Sequence, residues 1–343
     1  MFFIKYPVVA LWLATTLLTT PLAAAPFAYI SNQLEDSVSI IDSELGKVVA
    51  TVSVPGKPAG IAVAPSGDKV YVSTPEAKGF AVLDVKKRAV TAQVVVSEGA
   101  LGISISPDGR RIFVADWYNN KVDVVDATSL TIIKTIAVGE SPSGLVVSPD
   151  NHWLYVANRL SNSVSKINLS TLTVINTVTV GLHPFGLTLD SRGEKLYIAN
   201  VQSDNVTVVE TRRLLAVATI KVHALPYATA LAMNDSRLLV TNQDDGSVSL
   251  IDTDTLKEIA ILEVGNKPEG ISTHPDDRHV YVANWFDNSV SIIDAKTLKV
   301  INTLKTGKGS RGFGQFFGKY RSRLSLHTAL SSLDRICLLN YYC

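Results

Sequence analysis

The chain has 343 residues, of which 46% are hydrophobic and 18% are charged, and its mean hydropathy is +0.21. This composition excludes a disordered chain and supplies enough apolar side chains for a sizeable core. The net charge is +1, from 32 basic and 31 acidic residues, so nothing electrostatic supports a nucleic-acid partner. Both cysteines, Cys337 and Cys343, lie in the last seven residues, which excludes a disulfide framework or a cysteine-based metal site elsewhere.

Residues 1–25 have the order of regions that is typical of a secretory signal. Lys5 is the basic residue of the first region, residues 7–20 are apolar and uncharged, and small residues follow up to Ala25. A membrane anchor is the alternative, but the apolar run is shorter than the ~20 residues that a spanning helix needs. We therefore predict an exported protein, in the periplasm or at the cell surface, with cleavage near Ala25 and no transmembrane anchor.

A repeat with a period of 42 residues fills most of the remaining chain. Seven segments, typified by YVAN at Tyr155 and Tyr281, begin 42 residues apart without a gap. Two further series keep the same spacing. The acidic series is Asp42, Asp84, Asp126, Asn168, Glu210, Asp252 and Asp294, and the glycine series is Gly60, Gly102, Gly144, Gly186, Ala228, Gly270 and Gly312.

Each repeat contains four short runs of β-forming residues separated by turn sequences. In the third repeat these runs are residues 112–116, 121–126, 131–138 and 143–148, and turns of the Ser-Pro-Asp-Gly type close the repeats. Four strands repeated seven times predict an all-β fold, a seven-bladed β-propeller of four-stranded antiparallel blades over residues 26–317. A β-sandwich array is the alternative, but it gives no reason for seven uniform copies.

The two ends of the repeat region predict how the ring closes. Residues 311–316 align with residues 59–64, so the C-terminal strand is expected to complete the blade whose other strands come from residues 28–54. A ring closed in this way has no open sheet edges.

Residues 318–343 break the repeat and form a separate tail. Leu326, Leu330 and Leu333 fall at helical spacing within it. We interpret the tail as a frayed or loosely docked helix, or as disordered, and a partner-binding or dimerising helix is the alternative.

The repeats resemble those of a known family. The YVAN strands, the run NSVSIID at 288–294, the run TLKVINTLKTG at 297–307 and the P-x-G-I segments at Pro58 and Pro268 are similar to YVTN-type repeats. Such repeats belong to surface-layer-like, seven-bladed propellers, and the resemblance covers residues 27–317. The Gly-His and Trp-Asp dipeptides of WD40 repeats are missing. The resemblance implies an exported propeller and carries no catalytic residues to transfer.

The two faces of the predicted ring differ in sequence. The loops between the second and third strands, and those entering each inner strand, vary from repeat to repeat; we call their side of the ring the variable face. The turns on the opposite side, the uniform face, are nearly identical in each repeat. Because a scaffold repeats what the fold needs and varies what a ligand contacts, the variable face is the predicted binding face.

A recognition site is predicted where the variable face meets the central axis. One position, just before each inner-strand glycine, holds Ala59, Leu101, Ser143, Phe185, Tyr227, Glu269 and Arg311. The predicted site consists of Arg311, Glu269, Tyr227, Phe185 and His183, flanked by Trp117, Arg159 and Trp285. An exposed ion pair of Glu269 with Arg311 contributes only ~0–1 kcal/mol, so stability alone is a weak reason for it. An aromatic wall beside a charged pair suits a small polar ligand or an inserted side chain.

Several other residues have simpler interpretations. His183 and His223 offer at most half of a metal site, and we predict no metal. Trp117 and Trp285 either form a recognition surface or pack against neighbouring loops. The acidic series, and the strand-end series of Asn32, Asp116, Asn158, Asn200, Asn242 and Asn284, are predicted to be structural, through hydrogen bonds to local backbone.

These patterns predict a non-catalytic binding or scaffold protein, monomeric and without cofactor, that recognises a protein, a glycan or a small ligand. Seven repeats without an insertion offer little material for an enzyme pocket. Two alternatives stay open: a propeller enzyme of the lactonase, lyase or quinoprotein kind, and a structural surface-layer component. A pocket with converging charges on the variable face would favour the enzyme.

Overall fold

The computed structural model describes residues 26–318, so the predicted signal and the tail from residue 319 lie outside the described residues. Seven sheets form a ring, and the predicted seven-bladed β-propeller is confirmed. Among the described residues, no helix has the length and apolar character needed to cross a membrane.

The strands follow one another from the axis outward in each blade, with the first blade lacking a regular inner strand. Blade 1 contains β1 (Phe27–Asn32), β2 (Ser37–Asp42) and β3 (Lys47–Ser53), and blade 2 contains β4 (Ile61–Val63), β5 (Lys69–Thr74), β6 (Gly79–Asp84) and β7 (Ala89–Val95). Blade 3 contains β8 (Ala100–Ile105), β9 (Arg111–Asp116), β10 (Lys121–Asp126) and β11 (Ile132–Ala137), and blade 4 contains β12 (Pro142–Val147), β13 (Trp153–Asn158), β14 (Ser163–Asn168) and β15 (Thr173–Thr179).

The remaining three blades repeat the same order. Blade 5 contains β16 (Pro184–Leu189), β17 (Lys195–Asn200), β18 (Asn205–Glu210) and β19 (Leu215–Lys221), and blade 6 contains β20 (Pro226–Ala232), β21 (Arg237–Asn242), β22 (Ser247–Asp252) and β23 (Lys257–Glu263). Blade 7 contains β24 (Pro268–Thr273), β25 (His279–Asn284), β26 (Ser289–Asp294) and β27 (Lys299–Lys305). The segment after it includes the two-residue strand β28 (Gly314–Gln315), and short 3-10 turns occupy Gln33–Glu35 and Pro75–Ala77.

The core lies between the blades, which explains the burial along each strand. In blade 7 the second strand, β25, is buried from its second residue onward, whereas the outer strand β27 is mostly exposed. The outer strands therefore tolerate polar residues, and the second and third strands carry the apolar runs that the sequence repeats.

In five of the seven repeats a buried asparagine at the end of the second strand hydrogen-bonds to the third strand. Asn284 donates to the Ser289 Oγ at 3.1 Å and to the Ser291 Oγ at 2.9 Å. At the seam of the ring, the Gly307 N–H donates to the Asn32 Oδ1 at 3.1 Å. The series is structural, as expected. Asp116 accepts from the local backbone N–H groups of Tyr118 and Asn119, as predicted, whereas asparagines such as Asn284 and Asn32 bond to side chains of the third strand or to a loop of the neighbouring repeat.

The acidic series forms the local turns that were predicted. The Asp294 Oδ1 accepts hydrogen bonds from the backbone N–H groups of Lys296 and Thr297, and the Asp42 Oδ1 accepts those of Glu44 and Leu45. These carboxylates cap turns on the uniform face and do not form a ring of ligands.

The glycine series marks where neighbouring inner strands touch at the axis. A Cβ on Gly102 would overlap the carbonyl oxygen of Ser143 in the next blade, and a Cβ on Gly144 would overlap that of Phe185. Glycine is repeated there because the backbones approach too closely for a side chain.

The C-terminal segment closes the ring against β1, as the repeat predicts. Antiparallel bridges join Ser310 to Asn32 and Phe317 to Ala28. Between them the Arg311 N–H donates to the Ser31 carbonyl oxygen at 2.7 Å.

The register of this closing segment nevertheless departs from the repeat. By analogy with the Thr273–Val280 pair of blade 7, Gln315 should face Ala28, but Phe317 occupies that place. The two extra residues are accommodated at Gly312 and Gly314, whose φ angles of 104° and 98° suit glycine alone. The bulge allows β28 to pair in parallel with β4, so the inner edge of blade 2 is also hydrogen-bonded.

Removing residues 310–317 should unfold or aggregate the protein. The deletion takes Phe313, Phe316 and Phe317, which are all buried, out of the core and leaves the inner edge of β1 unpaired. The single change Phe316→Ala should cost about 3–5 kcal/mol, and Gln315→Ala, at an exposed side chain, is the matched control. Thermal unfolding and light scattering provide the measurement, and an unchanged melting temperature for the deletion would contradict this closure.

Candidate functional site

Four of the predicted site residues form one contact cluster at the axis. Phe185, Tyr227 and Glu269 are each the second residue of an inner strand, and Arg311 lies in the closing segment. The Arg311 Nε lies 2.5 Å from the Glu269 Oε2, and its Nη2 donates to the Tyr227 Oη at 2.9 Å. The rings of Phe185 and Tyr227 are 4.0 Å apart between centroids.

This cluster is a packed plug and not an open surface. The side chains of Glu269 and Arg311 are 7% and 16% exposed, and Phe185 and Tyr227 are buried. The assumption of an exposed ion pair worth ~0–1 kcal/mol is therefore wrong, because removing one partner of a buried pair leaves an uncompensated charge.

Two residues that sequence reasoning missed complete the plug. Phe313 packs edge-on against Phe185 with centroids 5.4 Å apart, and the Arg311 guanidinium lies 5.4 Å from the Phe313 ring centroid. The Gln243 Nε2 donates to the Glu269 Oε1 at 2.7 Å. Gln243 could have been found, since it shares the repeat position of Trp117, Arg159 and Trp285. Phe313 could not, because its place depends on the bulge in the closing segment.

Trp117, Arg159 and His183 form the rim beside this plug. The Arg159 guanidinium lies 5.4 Å from the Trp117 ring centroid, and Trp117 lies 6.3 Å from Phe185. The Arg159 Nε and the His183 Nδ1 are buried atoms that make no hydrogen bond to any described residue. Polar atoms in such a position are rare in native proteins and call for an explanation.

The backbone of His183 has a structural role that its ring does not share. His183 has a φ of 54°, and its N–H donates to the Asn162 Oδ1 at 2.9 Å. The same left-handed position is filled by Lys57, Ser141, Leu225 and Lys267 in other blades. Since the fold accepts such different side chains here, the imidazole is not required by the turn.

Trp285 lies in the last variable loop, in blade 7. Its ring packs against Phe286 at 4.7 Å, and it lies beside the Gly309 turn that leads into Arg311. Its Nε1 is likewise buried without a hydrogen-bond partner among the described residues. His223, the other histidine considered for a metal, pairs instead with Asp245 and Glu258 at 3.4 and 3.6 Å.

Burial sets the protonation of the two titratable rings of the site. It raises the pKa of Tyr227 to about 12, although the Arg311 guanidinium opposes the rise. Burial, and then the charge of Arg159, lower the pKa of His183 from its ordinary value. At neutral pH the site therefore presents a neutral phenol and a neutral imidazole.

Below the plug, the central channel is a cavity of about 440 Å³ lined by the inner strands. Phe185 and Phe313 form its end toward the variable face, and Pro149, Asp190 and Asp235 lie at the uniform-face end. Apart from these residues and Gln315, its described lining is aliphatic, glycine, serine and threonine, and it contains no His, Cys, Met or Tyr.

Two family models match parts of the chain. The model of the lactonase, 7-bladed beta-propeller, matches residues 127–214, and that of the cytochrome D1 heme domain matches residues 196–313. The first range includes Arg159, His183 and Phe185, and the second includes Tyr227 and Arg311, among other site residues. No curated protein sequence matches the chain.

Solved structures share the fold. Hydrazine synthase of Kuenenia stuttgartiensis is 22% identical with a TM-score of 0.72, over 82% of this chain and 99% of that one. A functionally unknown protein from Desulfotomaculum acetoxidans is 12% identical with a TM-score of 0.73, over 84% and 100%. Dihydro-heme d1 dehydrogenase NirN in complex with DHE is 17% identical with a TM-score of 0.61, over 83% and 64%. At these identities the likeness shows the fold alone.

These comparisons overturn one prediction. The matched models describe a lactonase propeller and a haem domain, so the prediction of a non-catalytic binding or scaffold protein that is not an enzyme is wrong. The matches favour the alternative of an enzyme-like propeller. The chain is a seven-bladed propeller, as the resemblance implied.

Glu269→Ala should lower the free energy of unfolding by about 3–5 kcal/mol, because it leaves the Arg311 guanidinium buried without its counter-ion. Urea denaturation measures the loss, and Glu263→Ala, at an exposed acid on β23, is the control. Combining Glu269→Ala with Arg311→Met should recover part of the loss. A loss below ~1 kcal/mol for the single variant would show that the pair is not buried in solution.

Proposed function

We propose that the protein is an exported propeller enzyme that hydrolyses a small anionic lactone or ester at the rim of the axial plug. One observation carries the proposal: the buried nitrogens Arg159 Nε and His183 Nδ1 have no partner among the described residues. Each is accounted for if a ligand with several oxygen atoms occupies this end of the axis. The nearby guanidinium of Arg159 favours a ligand with a carboxylate.

The side chains at the rim fit the roles that ester hydrolysis requires. A neutral imidazole can take a proton from water, so His183 would act as the general base. The water oxygen attacks the carbonyl carbon, the ester C–O bond breaks, and the proton held by His183 passes to the leaving alkoxide. Arg159, whose charge helps to lower the pKa of His183, would stabilise the oxyanion that forms.

The axial plug would serve as the floor of this site. Glu269 and Tyr227 fix the guanidinium of Arg311, and Phe185 and Trp117 give an apolar wall. Because these groups are already bonded to one another, they position the rim residues and take no part in proton transfer. The match of the lactonase model over Arg159 and His183 supports the same assignment.

The described residues form no pocket for the haem that the second family model implies. Phe185, Tyr227 and Phe313 fill the axis at the variable face, and the lining of the cavity below them holds no axial ligand. The residues present do not fit a haem in the channel, and we derive no haem chemistry.

Two sequence features, the predicted secretory signal and the resemblance to YVTN-type repeats, also belong to the proposal. Residues 1–25 have the order of a secretory signal, which supports an enzyme acting outside the cytoplasm. The recurring strand-end asparagines, most of which bind two hydroxyls of the third strand as Asn284 does, support descent from YVTN-type propellers.

Activity on a panel of sugar-acid lactones, followed by acid release in a pH-stat, tests this function. His183→Ala should lower kcat/KM by about 10²–10⁴-fold and Arg159→Ala by about 10²–10³-fold, since each removes a group used at the reacting carbonyl. The control is His152→Ala, at an exposed histidine on the uniform face. Wild-type protein that releases no acid from any lactone, or variants with undiminished rates, would refute the proposal.

The pH dependence offers a second test. If neutral His183 is the base, kcat/KM should rise as the pH increases through a pKa below the ordinary 6.5 and then level off. Stopped assays from pH 4.5 to 8 measure the profile. His183→Ala should lose this rising limb, and a wild-type profile that falls through the same range would contradict the assignment.

A further inference from the structure

A second cluster of chemistry-bearing side chains lies on the uniform face, away from the proposed active site. In the turn between β24 and β25, one ligand atom from each of His274, Asp276 and His279 lies within 4.8 Å of the others. The His279 Nδ1 is 2.6 Å from the Asp276 Oδ2, and the His274 Nδ1 is 3.1 Å from the Asp276 Oδ1.

The repeat shows that the turn itself does not need these histidines. In blade 3 the same turn has Ser106, Asp108 and Arg111, and the Ser106 Oγ donates to the Asp108 Oδ1 at 2.6 Å. In blade 7 Asp276 keeps the structural role, since its Oδ1 accepts the N–H groups of residues 278 and 279 at 2.9 and 3.0 Å. His274 and His279 replace the flanking serine and arginine, so the imidazoles are additions to a turn that other side chains complete.

The atoms around His274 include two acceptors that face each other. The Asp276 N–H donates to the His274 Nδ1 at 3.1 Å, so this nitrogen is an acceptor, and a metal ion bound there would take over its lone pair from that N–H. The Asp276 Oδ1 is equally close to the same nitrogen and is also an acceptor. Two acceptors at this distance are stabilised by a positive charge near both.

The cluster lies at the seam where the ring closes. The His274 Nε2 is 3.1 Å from the Ser43 Oγ of blade 1, and its ring packs edge-on against Phe317 at 5.2 Å. A pocket of about 720 Å³, lined also by Pro26 and Glu44, leaves room for water or a further carboxylate ligand. A group bound here would contact both ends of the propeller.

We propose that His274, Asp276 and His279 bind one divalent transition-metal ion, Zn²⁺ by the chemistry of the ligands, and that the ion holds the seam of the ring closed. Two imidazoles and one carboxylate form a donor set that zinc prefers, with a fourth position left for water or Glu44. Ligand atoms 2.0–2.1 Å from a tetrahedral zinc lie about 3.3 Å apart, and small side-chain adjustments bring the observed spacing to this value. This prediction differs from the expectation of no metal and does not rest on the proposed function.

Calorimetric titration of the metal-stripped full chain with ZnCl₂ tests the site. Wild-type protein should bind one Zn²⁺, and His274→Ala and His279→Ala should each weaken binding about 100-fold or more. His152→Ala is the matched control, because His152 lies beside Asp150 in the equivalent turn of blade 4 without a second histidine. Wild-type protein with no Zn²⁺ affinity tighter than about 10 μM, or stoichiometric binding that persists in both variants, would overturn the proposal.

Stability and hydrogen exchange test the role at the seam. Because His274 also packs on Phe317, each variant is compared with itself, in Zn²⁺ and in EDTA, and His279→Asn gives a second variant that leaves this packing intact. Zn²⁺ should raise the melting temperature of the wild type and slow amide exchange in Phe27–Asn32, and both effects should vanish in the variants. Zn²⁺ binding without added protection of this strand would refute the seam role.

Discussion

The close approach of the inner strands at the axis is the constraint on which the rest of the structure depends. Where the backbones touch, as at Gly102 and Gly144, no Cβ fits, and the chain supplies glycine at this position in six of the seven repeats, with Ala228 as the exception. The close approach at each glycine sets how far from the axis the adjacent residues of that strand lie. The residue before each glycine is thereby directed to the axis at the variable face, and the ring builds a site from seven single positions without any inserted loop.

The side chains at this end of the axis form two layers. The plug, which is the floor of the site, is held by bonds among its own side chains, whereas the rim contains buried nitrogens without a hydrogen-bond partner. In the floor, the charge of Arg311 is met by Glu269 and the hydroxyl of Tyr227 is met by Arg311, so burial is compensated. In the rim, the nitrogens of Arg159 and His183 are buried without such compensation. A protein that pairs the charges of one layer with each other and leaves the cationic and imidazole nitrogens of the adjacent layer without a partner concentrates its capacity for ligand binding in the second layer.

The fold could be predicted from the sequence because the period has no gap, and the gathering of Phe185, Tyr227, Glu269 and Arg311 at the axis followed from the same register. Their burial could not be predicted, since it depends on the bulge at Gly312 and Gly314 that brings Phe313 beneath them. The prediction of function failed for a related reason. Uniform repeats were taken as evidence against an enzyme, yet side chains at repeat positions converge on the axis without any insertion.

The repeat also separates what the fold requires from what a ligand would require. At the left-handed position of His183, lysine, serine and leucine serve other blades equally well, and in the turn of blade 3 that corresponds to that of His274, a serine bonds to the aspartate instead. Where the backbone does not require a particular residue type, the side chain can be selected for its chemical function. The case is strongest where that side chain lies beside buried unpaired atoms or beside a second histidine. Both histidine positions meet this criterion, on opposite faces of the ring, whereas Asn284 and Asp294 do not, because their hydrogen bonds recur as part of the blade itself.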